Sequence, residues 1–138
     1  MNILVVDDNK AVQEKLVAMI ASQGHCVDYA VNGLDALGKT KTIQHDLYII
    51  DHLMPLMNGI QLVKNLKTNP QLSSTPIIFM TTQGIATLKN VAEFSLFDAA
   101  IEKPIVESEL TDLLARFTHS NFDNLDVNNS SQLNTSIY

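Results

Sequence analysis

The fold is indicated first by the stretch MNILVVDD, residues 1–8, in which an unbroken apolar run ends on two carboxylates. A continuous run of branched apolar residues is typical of a parallel strand that is covered on both faces. Similar runs follow in LYIID, residues 47–51, and in IIFMT, residues 77–81. The repeated pattern predicts buried strands whose carboxyl ends carry polar side chains.

Helical patterns separate these strands. Val12, Leu16, Met19 and Ile20 recur at helical spacing after the first strand. Further helices are predicted over residues 34–41, 60–67, 86–96 and 106–117, and two weaker strands over residues 26–30 and 99–102. Five strands that alternate with five helices predict an α/β domain, residues 1–119, with a parallel sheet and helices on both faces.

The composition limits the classes of function. The chain has 138 residues, 46% of them apolar, and a net charge of −6, which disfavours a nucleic-acid or anionic-membrane partner. It has no apolar run long enough to span a membrane. Its single cysteine, Cys26, cannot form an intrachain disulfide, which suits the cytoplasm. We expect Cys26 to be a small buried core residue.

The end of the chain differs from the rest. Residues 120–138 are rich in Asn and Ser and contain no Lys or Arg. Such a composition is typical of a flexible tail, so we expect a polar C-terminal tail after the domain. Since no DNA-binding domain is expected there, the predicted output is a protein–protein contact, unless the molecule is an intermediate that relays phosphate.

The polar residues at the strand ends form the candidate site. Asp7 and Asp8 follow the first strand, Asp51 ends the third, Thr81 ends the fourth and Lys103 follows the fifth. In open parallel sheets, ligands bind at the carboxyl ends of the strands. Three carboxylates and one ammonium group in one pocket each need a partner. The pattern therefore predicts a charged functional site.

The residue types at this site indicate phosphoryl chemistry with Mg²⁺. Hard oxygen ligands select magnesium or calcium, and magnesium binds through one or two carboxylates plus phosphate oxygens. Asp8 and Asp51 are predicted to be direct ligands, with Asp7 acting through water. The Asp51 carboxylate is also a candidate nucleophile toward phosphorus. Lys103 would pair with one phosphate oxygen, and the Thr81 hydroxyl would donate to another.

Taken together, these residues resemble the response-regulator receiver domains of two-component signalling, and among them the single-domain chemotaxis regulators. The resemblance spans about residues 2–118. It rests on residues 5–9, 30–37, 51–59, 76–81 and 103–104.

The resemblance implies a flavodoxin-like (βα)5 fold, doubly wound, with strand order 2-1-3-4-5. It implies that Asp51 is phosphorylated by a histidine kinase or a histidine phosphotransfer protein. It also implies that Asp7, Asp8 and the Leu53 backbone carbonyl serve the metal, and that the peptide bond between Lys103 and Pro104 is cis. Such a protein is a regulator and not an enzyme, apart from its own phosphoryl acceptance and autodephosphorylation.

The sequence departs from the family pattern near the site, at Ala100 and Thr82 among other positions. Receivers usually carry an aromatic residue three positions before the lysine, where this chain has Ala100, so Phe97 or Phe94 would have to substitute for it. Thr82 is bulkier than the small residue often found there and is predicted to slow phosphate exchange. His52 is predicted to be a surface or loop residue whose ring points away from Asp51, because side chains alternate along a strand.

Two other functions compete with an active receiver. A pseudo-receiver would use the same fold as an interaction module that does not depend on phosphorylation, and Ala100 is its best support. A flavin- or nucleotide-binding protein would need a backbone-rich phosphate loop, whereas residues 7–9 carry two negative charges and no glycine. For an active receiver, the output surface is predicted over residues 84–118, on the fourth helix, fifth strand and fifth helix.

Overall fold

The computed structural model of the protein describes residues 1–118. The predicted tail, residues 120–138, lies outside the described residues, as does residue 119 at the predicted domain end. Met1–Val106 form one compact unit, and residues 107–118 are a helix, α5, of a second unit. The elements of the first unit are β1 (Asn2–Val6), α1 (Lys10–Ala21), β2 (Cys26–Ala30), α2 (Gly33–Thr40), β3 (Leu47–Asp51), α3 (Gly59–Thr68), β4 (Ile77–Thr81), α4 (Ile85–Leu88), a 3₁₀ helix (Ala92–Leu96) and β5 (Ala99–Glu102).

The five strands form one sheet in the order β2-β1-β3-β4-β5, and all neighbouring strands are parallel. The predicted fold class and strand order are therefore confirmed. In register, Val6 lies opposite Ile50, and Asp51 lies opposite Met80. Because all strands run in the same direction, the polar residues at or just after the carboxyl ends of β1, β3 and β4 meet at one edge of the sheet.

Each face of the sheet is covered by helices of the first unit. On one face, alternate strand residues pack with α2, α3 and α4; the strand residues are Leu4, Val6, Tyr48, Ile50, Ile77 and Phe79, and the helix residues are Ala36, Leu62, Val63, Leu66 and Leu88. On the other face, α1 packs along β1 and β2 and buries Leu16 and Ile20. The central strands are buried on both sides, which explains their continuous apolar sequences.

The fourth helix is shorter than predicted. The sequence pattern predicts one helix over residues 86–96, whereas α4 ends at Leu88 and a separate 3₁₀ helix begins at Ala92. Val91 is extended, with φ of −86° and ψ of 134°, and this interrupts the helix. Thr87, Asn90 and Val91 all have low helix propensity, so nothing local holds the two pieces in one helix.

The prediction for Cys26 is wrong, since its side chain is exposed. Cys26 begins β2, which is an outer strand of the sheet, and the first four residues of that strand are not fully buried. A strand at the edge has a neighbour on one side only, so an apolar run along it does not imply burial. Within residues 1–118, no helix has the length and apolar character needed to cross a membrane.

Candidate functional site at the carboxyl edge of the sheet

Three carboxylates meet where β1 and β3 end. Oxygens of Asp7, Asp8 and Asp51 all lie within 4.8 Å of one another. Asp7 is fully buried, Asp51 is 6% exposed, and Asp8 is open to solvent. Since Val6 and Ile50 are neighbours in register, the following residue of each strand, Asp7 and Asp51, is carried to the same point. The structure thus brings together the acidic residues that the sequence singled out.

Lys103 connects two of these carboxylates. Its Nζ lies 2.6 Å from Asp7 Oδ2 and 3.0 Å from Asp51 Oδ1, and 13% of its side chain is exposed. Its backbone N–H donates to the Thr81 carbonyl, and its peptide bond to Pro104 is cis, as the resemblance implies. The ammonium group therefore sits where it offsets the charge of two buried acids.

The environment shifts the pKa values of both partners. Burial raises the pKa of Asp51 from 3.8 to about 6; the contact with Lys103 opposes this rise, and the charges of Asp7 and Asp8 add to it. Burial alone would lower the pKa of Lys103, but its contacts with Asp7 and Asp51 outweigh burial and raise it. At neutral pH, Asp51 is mostly ionised, which a nucleophilic carboxylate requires.

Asp7 is held by the start of α1. The Asn9 backbone N–H donates to Asp7 Oδ1 at 2.8 Å, and the buried side-chain amide of Gln13 donates to the Asp7 carbonyl. Asn9 also caps α1, accepting a hydrogen bond from the Val12 N–H. Sequence reasoning missed Gln13, although a polar residue one turn into an amphipathic helix and facing inward is a signal for such a role.

Thr81 and His52 form a second polar group beside the acids. His52 Nδ1 lies 3.0 Å from Thr81 Oγ1, and the Gln83 backbone N–H donates to the same oxygen at 2.9 Å. Burial lowers the pKa of His52, which favours a neutral ring. The prediction that His52 is merely a surface or loop residue is therefore incomplete, because its half-buried ring contacts Thr81.

An aromatic stack is built on Phe79, the residue opposite Ala100. Phe79 lies directly opposite Ala100 in the β4–β5 register. The ring of Phe97 stacks on Phe79, with a centroid distance of 4.0 Å and an interplanar angle of 4°, and Phe94 meets Phe97 edge-on at 6.0 Å. Of the two candidates proposed to replace the missing aromatic residue, Phe97 is the one stacked beside that position.

The loop between β3 and α3 closes tightly under Asp51. A Cβ atom at Gly59 would lie 2.1 Å from the Asp51 carbonyl oxygen, so no side chain fits there. The Gly59 N–H donates to the His52 carbonyl, and Asn58 and Gln61 form a capping box that begins α3. Leu53, whose backbone carbonyl is predicted to bind the metal, is exposed at this loop. Its role stays a prediction.

The donor set fits a small hard cation. Among residues 1–118, this is the one group of three or more potential ligand side chains close enough together to hold a metal ion. All three offer carboxylate oxygens, which Mg²⁺ and Ca²⁺ prefer, and there is no sulfur or imidazole ligand in the group. With Lys103 as counter-charge, the three ionised acids still leave an excess of negative charge.

Sequence comparison matches the chain to one family. The family described as response regulator receiver domain matches residues 3–115. Protein PilH of Pseudomonas aeruginosa is 32% identical over 108 residues, which cover 78% of this chain and 89% of PilH. Other relatives are longer: the chain spans 65% of the ycf29 regulator of Porphyra purpurea and 33% of that of Pyropia yezoensis.

Solved structures agree with this match. The chemotaxis protein CheY4 of Vibrio cholerae has a TM-score of 0.78 and 27% identity, covering 84% of this chain and 97% of CheY4. The response regulator TrrA of Thermotoga maritima, solved in complex with Mg²⁺ and beryllofluoride, has a TM-score of 0.76 and 26% identity, with the same coverage. Both are similar in fold over most of the described chain.

Proposed function

Because this chain belongs to the response regulator receiver family, we propose that Asp51 accepts a phosphoryl group in a Mg²⁺-dependent reaction that controls a protein–protein interaction. The observation that carries the proposal is the buried Asp51 carboxylate, held 3.0 Å from the Lys103 ammonium group beside Asp7 and Asp8. A packing role would not require three acids at one point, since buried charges are costly without partners.

In the proposed reaction, one Asp51 oxygen forms a bond to the phosphorus of a phosphohistidine. The bond from phosphorus to the imidazole nitrogen breaks, its electron pair stays on that nitrogen, and the product is an acyl phosphate. The donor is a histidine kinase or a histidine phosphotransfer protein. Asp8 and Asp51, together with the Leu53 carbonyl, would hold Mg²⁺ directly, and Asp7 would act through water. The bound metal would offset charge on the transferring group.

Lys103 and Thr81 have separate proposed tasks. The Lys103 ammonium group would leave Asp51 and pair with an oxygen of the transferred phosphoryl group, which carries more negative charge than the carboxylate it replaces. The Thr81 hydroxyl would donate to a second oxygen. Receiver domains are regulators, so the proposed output is a partner protein that distinguishes the two states of the predicted surface, residues 84–118. We propose that this occurs in the cytoplasm.

The test is direct phosphorylation. Purified protein is incubated with a small phosphodonor and Mg²⁺, and intact mass together with peptide mapping locates the modification. We expect one phosphoryl group on Asp51, none in Asp51→Asn, and none when Mg²⁺ is chelated. Asp46→Asn is the matched control, because Asp46 is outside the acidic cluster and accepts a hydrogen bond from the Asn2 N–H.

The alternative is an interaction module that does not depend on phosphorylation. Ala100 favours it, because the side chain that usually moves in receivers is absent, and the split fourth helix adds to this difference. The same experiment decides between the two: an unmodified Asp51 under saturating phosphodonor and Mg²⁺ would favour the module and contradict the active receiver.

A further inference from the structure

The Thr81 hydroxyl is already engaged on the side that faces His52. The Gln83 N–H donates to Thr81 Oγ1, which uses one acceptor position of the hydroxyl. The other partner of the hydroxyl, at 3.0 Å, is His52 Nδ1. Two tautomers of His52 satisfy both contacts: Thr81 donates to Nδ1 when the ring proton is on Nε2, and Nδ1–H donates to Oγ1 when the ring proton is on Nδ1. In either tautomer the hydrogen bond holds Oγ1 beside the His52 ring.

The sheet register explains why His52 reaches Thr81. Asp51 lies opposite Met80, so the next residue of each segment brings His52 opposite Thr81. Side chains alternate along a strand, so His52 and Thr81 leave the sheet on the face that carries Phe79, whereas Asp51 leaves on the other face. The backbone therefore places the side chains of His52 and Thr81 next to each other on one face of the sheet.

We propose that His52 is a positioning residue that holds the Thr81 hydroxyl away from the phosphoryl site, and that release of this contact on phosphorylation is passed through Phe79 to Phe97. This inference rests on the proposed function, because it concerns the hydroxyl expected to contact the phosphoryl group. It assigns to His52 and Phe97 the coupling that an aromatic residue at position 100 supplies in other receivers.

Ring contacts connect His52 to Phe97 through Phe79. The His52 ring lies 5.4 Å from Phe79, centroid to centroid, and Phe79 is stacked on Phe97 at 4.0 Å. Phe97 comes directly after the 3₁₀ helix and two residues before β5. Ala100 lies opposite Phe79 in the register, and its small side chain takes up less of the space beside the Phe79 ring than an aromatic residue would.

The His52–Thr81 contact is tested first without any phosphoryl chemistry. A double-mutant cycle of His52→Ala and Thr81→Val is measured by equilibrium unfolding in Mg²⁺-free buffer. Since a typical net hydrogen bond corresponds to about a two- to tenfold change in an equilibrium constant, we expect a coupling of that size. Strictly additive effects of the two substitutions would overturn the proposal. The cycle does not depend on whether Asp51 is ever phosphorylated.

The release of Thr81 is tested with beryllofluoride, a phosphoryl mimic, and Mg²⁺. Because His52→Ala removes the competing hydrogen bond to Thr81, we expect this variant to bind beryllofluoride about two- to tenfold more tightly than the native protein. His25→Ala is the matched control and should bind with unchanged affinity, since His25 contacts the amino terminus at the far edge of the sheet. Equal affinities of His52→Ala and the native protein would contradict the proposed release.

Transmission to Phe97 is followed by NMR of the aromatic rings. We expect beryllofluoride to shift the Phe97 signals in the native protein and to shift them much less in His52→Ala, while Asp51 is occupied in both. An equal Phe97 shift in the two proteins would overturn the proposed route. If the native protein did not bind beryllofluoride at all, the proposed function would fail, and the unfolding cycle would still decide the His52–Thr81 contact.

Discussion

The two edges of the sheet each place a carboxylate near a basic side chain, but they hold it differently. At the carboxyl edge, Lys103 Nζ lies within 3.0 Å of both Asp7 and Asp51. At the amino edge, His45 Nε2 lies 3.6 Å from Asp28 Oδ2. Neither ring nitrogen of His45 makes a hydrogen bond with the described residues, and neither does Asp28 Oδ2. At the carboxyl edge the basic group is in direct contact with its acids, and at the amino edge it is not.

The difference separates the candidate functional site from a contact that serves only packing. At the carboxyl edge, three acids crowd around one ammonium group, and the pKa of Asp51 rises to about 6, so the ionised cluster costs stability until a cation joins it. At the amino edge, burial lowers the pKa of His45, which favours the uncharged ring. At neutral pH the carboxyl edge therefore keeps its charges at a cost in stability, whereas the His45 ring at the amino edge is uncharged.

The largest expected effect comes from removing the ion pairs of Lys103 at the carboxyl edge. Lys103→Met leaves Asp7 and Asp51 without a counter-charge, and we expect a loss of about 3 kcal/mol in unfolding free energy in Mg²⁺-free buffer. Urea unfolding measures this loss. Lys64→Met is the control, because Lys64 forms an exposed ion pair with Glu93 at 3.8 Å and should change stability by less than about 1 kcal/mol. Similar losses in both variants would show that the buried ion pairs of Lys103 stabilise the fold no more than the exposed ion pair of Lys64.

The acidic cluster should lower the free energy of unfolding in the absence of Mg²⁺. The folded-state pKa of Asp51 is raised, so folding favours its protonated form, and stability falls as pH rises from about 4 to about 6. Above that range the penalty is complete. At neutral pH without Mg²⁺, Asp51→Asn should therefore be more stable than the native protein by roughly 1–3 kcal/mol, at about 1.4 kcal/mol per pKa unit. A less stable Asp51→Asn in urea unfolding would show that Lys103 overcompensates the burial.

The contribution of His45, at the amino edge, to stability should depend on pH in the opposite direction. The folded-state pKa of His45 is lowered mainly by burial, against the opposing charges of Asp28 and Asp46, while Lys39 adds to the lowering. Folding thus favours neutral His45, and stability should fall as pH drops below its ordinary pKa of 6.5. We expect a smaller change than at Asp51.

Urea unfolding from about pH 7.5 to about pH 5.5 measures the pH dependence due to His45. The Asp51→Asn background removes the opposing pH dependence due to Asp51. In the same background, His45→Leu should lose part of the pH dependence. An identical slope with and without His45 would mean that the ring is not the titrating group.

The smallest expected effect concerns access to Asp51. Thr82 follows Thr81 directly, is exposed, and accepts a hydrogen bond from the Gln83 side chain at 3.2 Å. We expect Thr82→Ala to dephosphorylate about threefold faster, a difference of less than 1 kcal/mol in the barrier. Acyl phosphate decay in the presence of Mg²⁺ measures it, with the exposed Thr87→Ala as control. Equal decay rates would leave Thr82 without a role in access.

The sequence itself determined the sheet and the identity of the acidic site. Buried parallel strands have a local signature, namely short apolar runs that end on polar residues, and a parallel sheet necessarily brings those ends to one edge. Asp7, Asp8, Asp51 and Lys103 could be grouped from this rule alone, before any distance between them was known.

Tertiary structure decided the rest, because it depends on contacts between distant segments. The pattern of alternation directs His52 away from Asp51, but only the register with β4 brings its ring to Thr81. Likewise, Ala100 appears in the sequence as a missing ring, and only the packed structure shows Phe97 stacked on Phe79 beside it. Such ring positions follow from how the available volume is filled, which no spacing along the chain encodes.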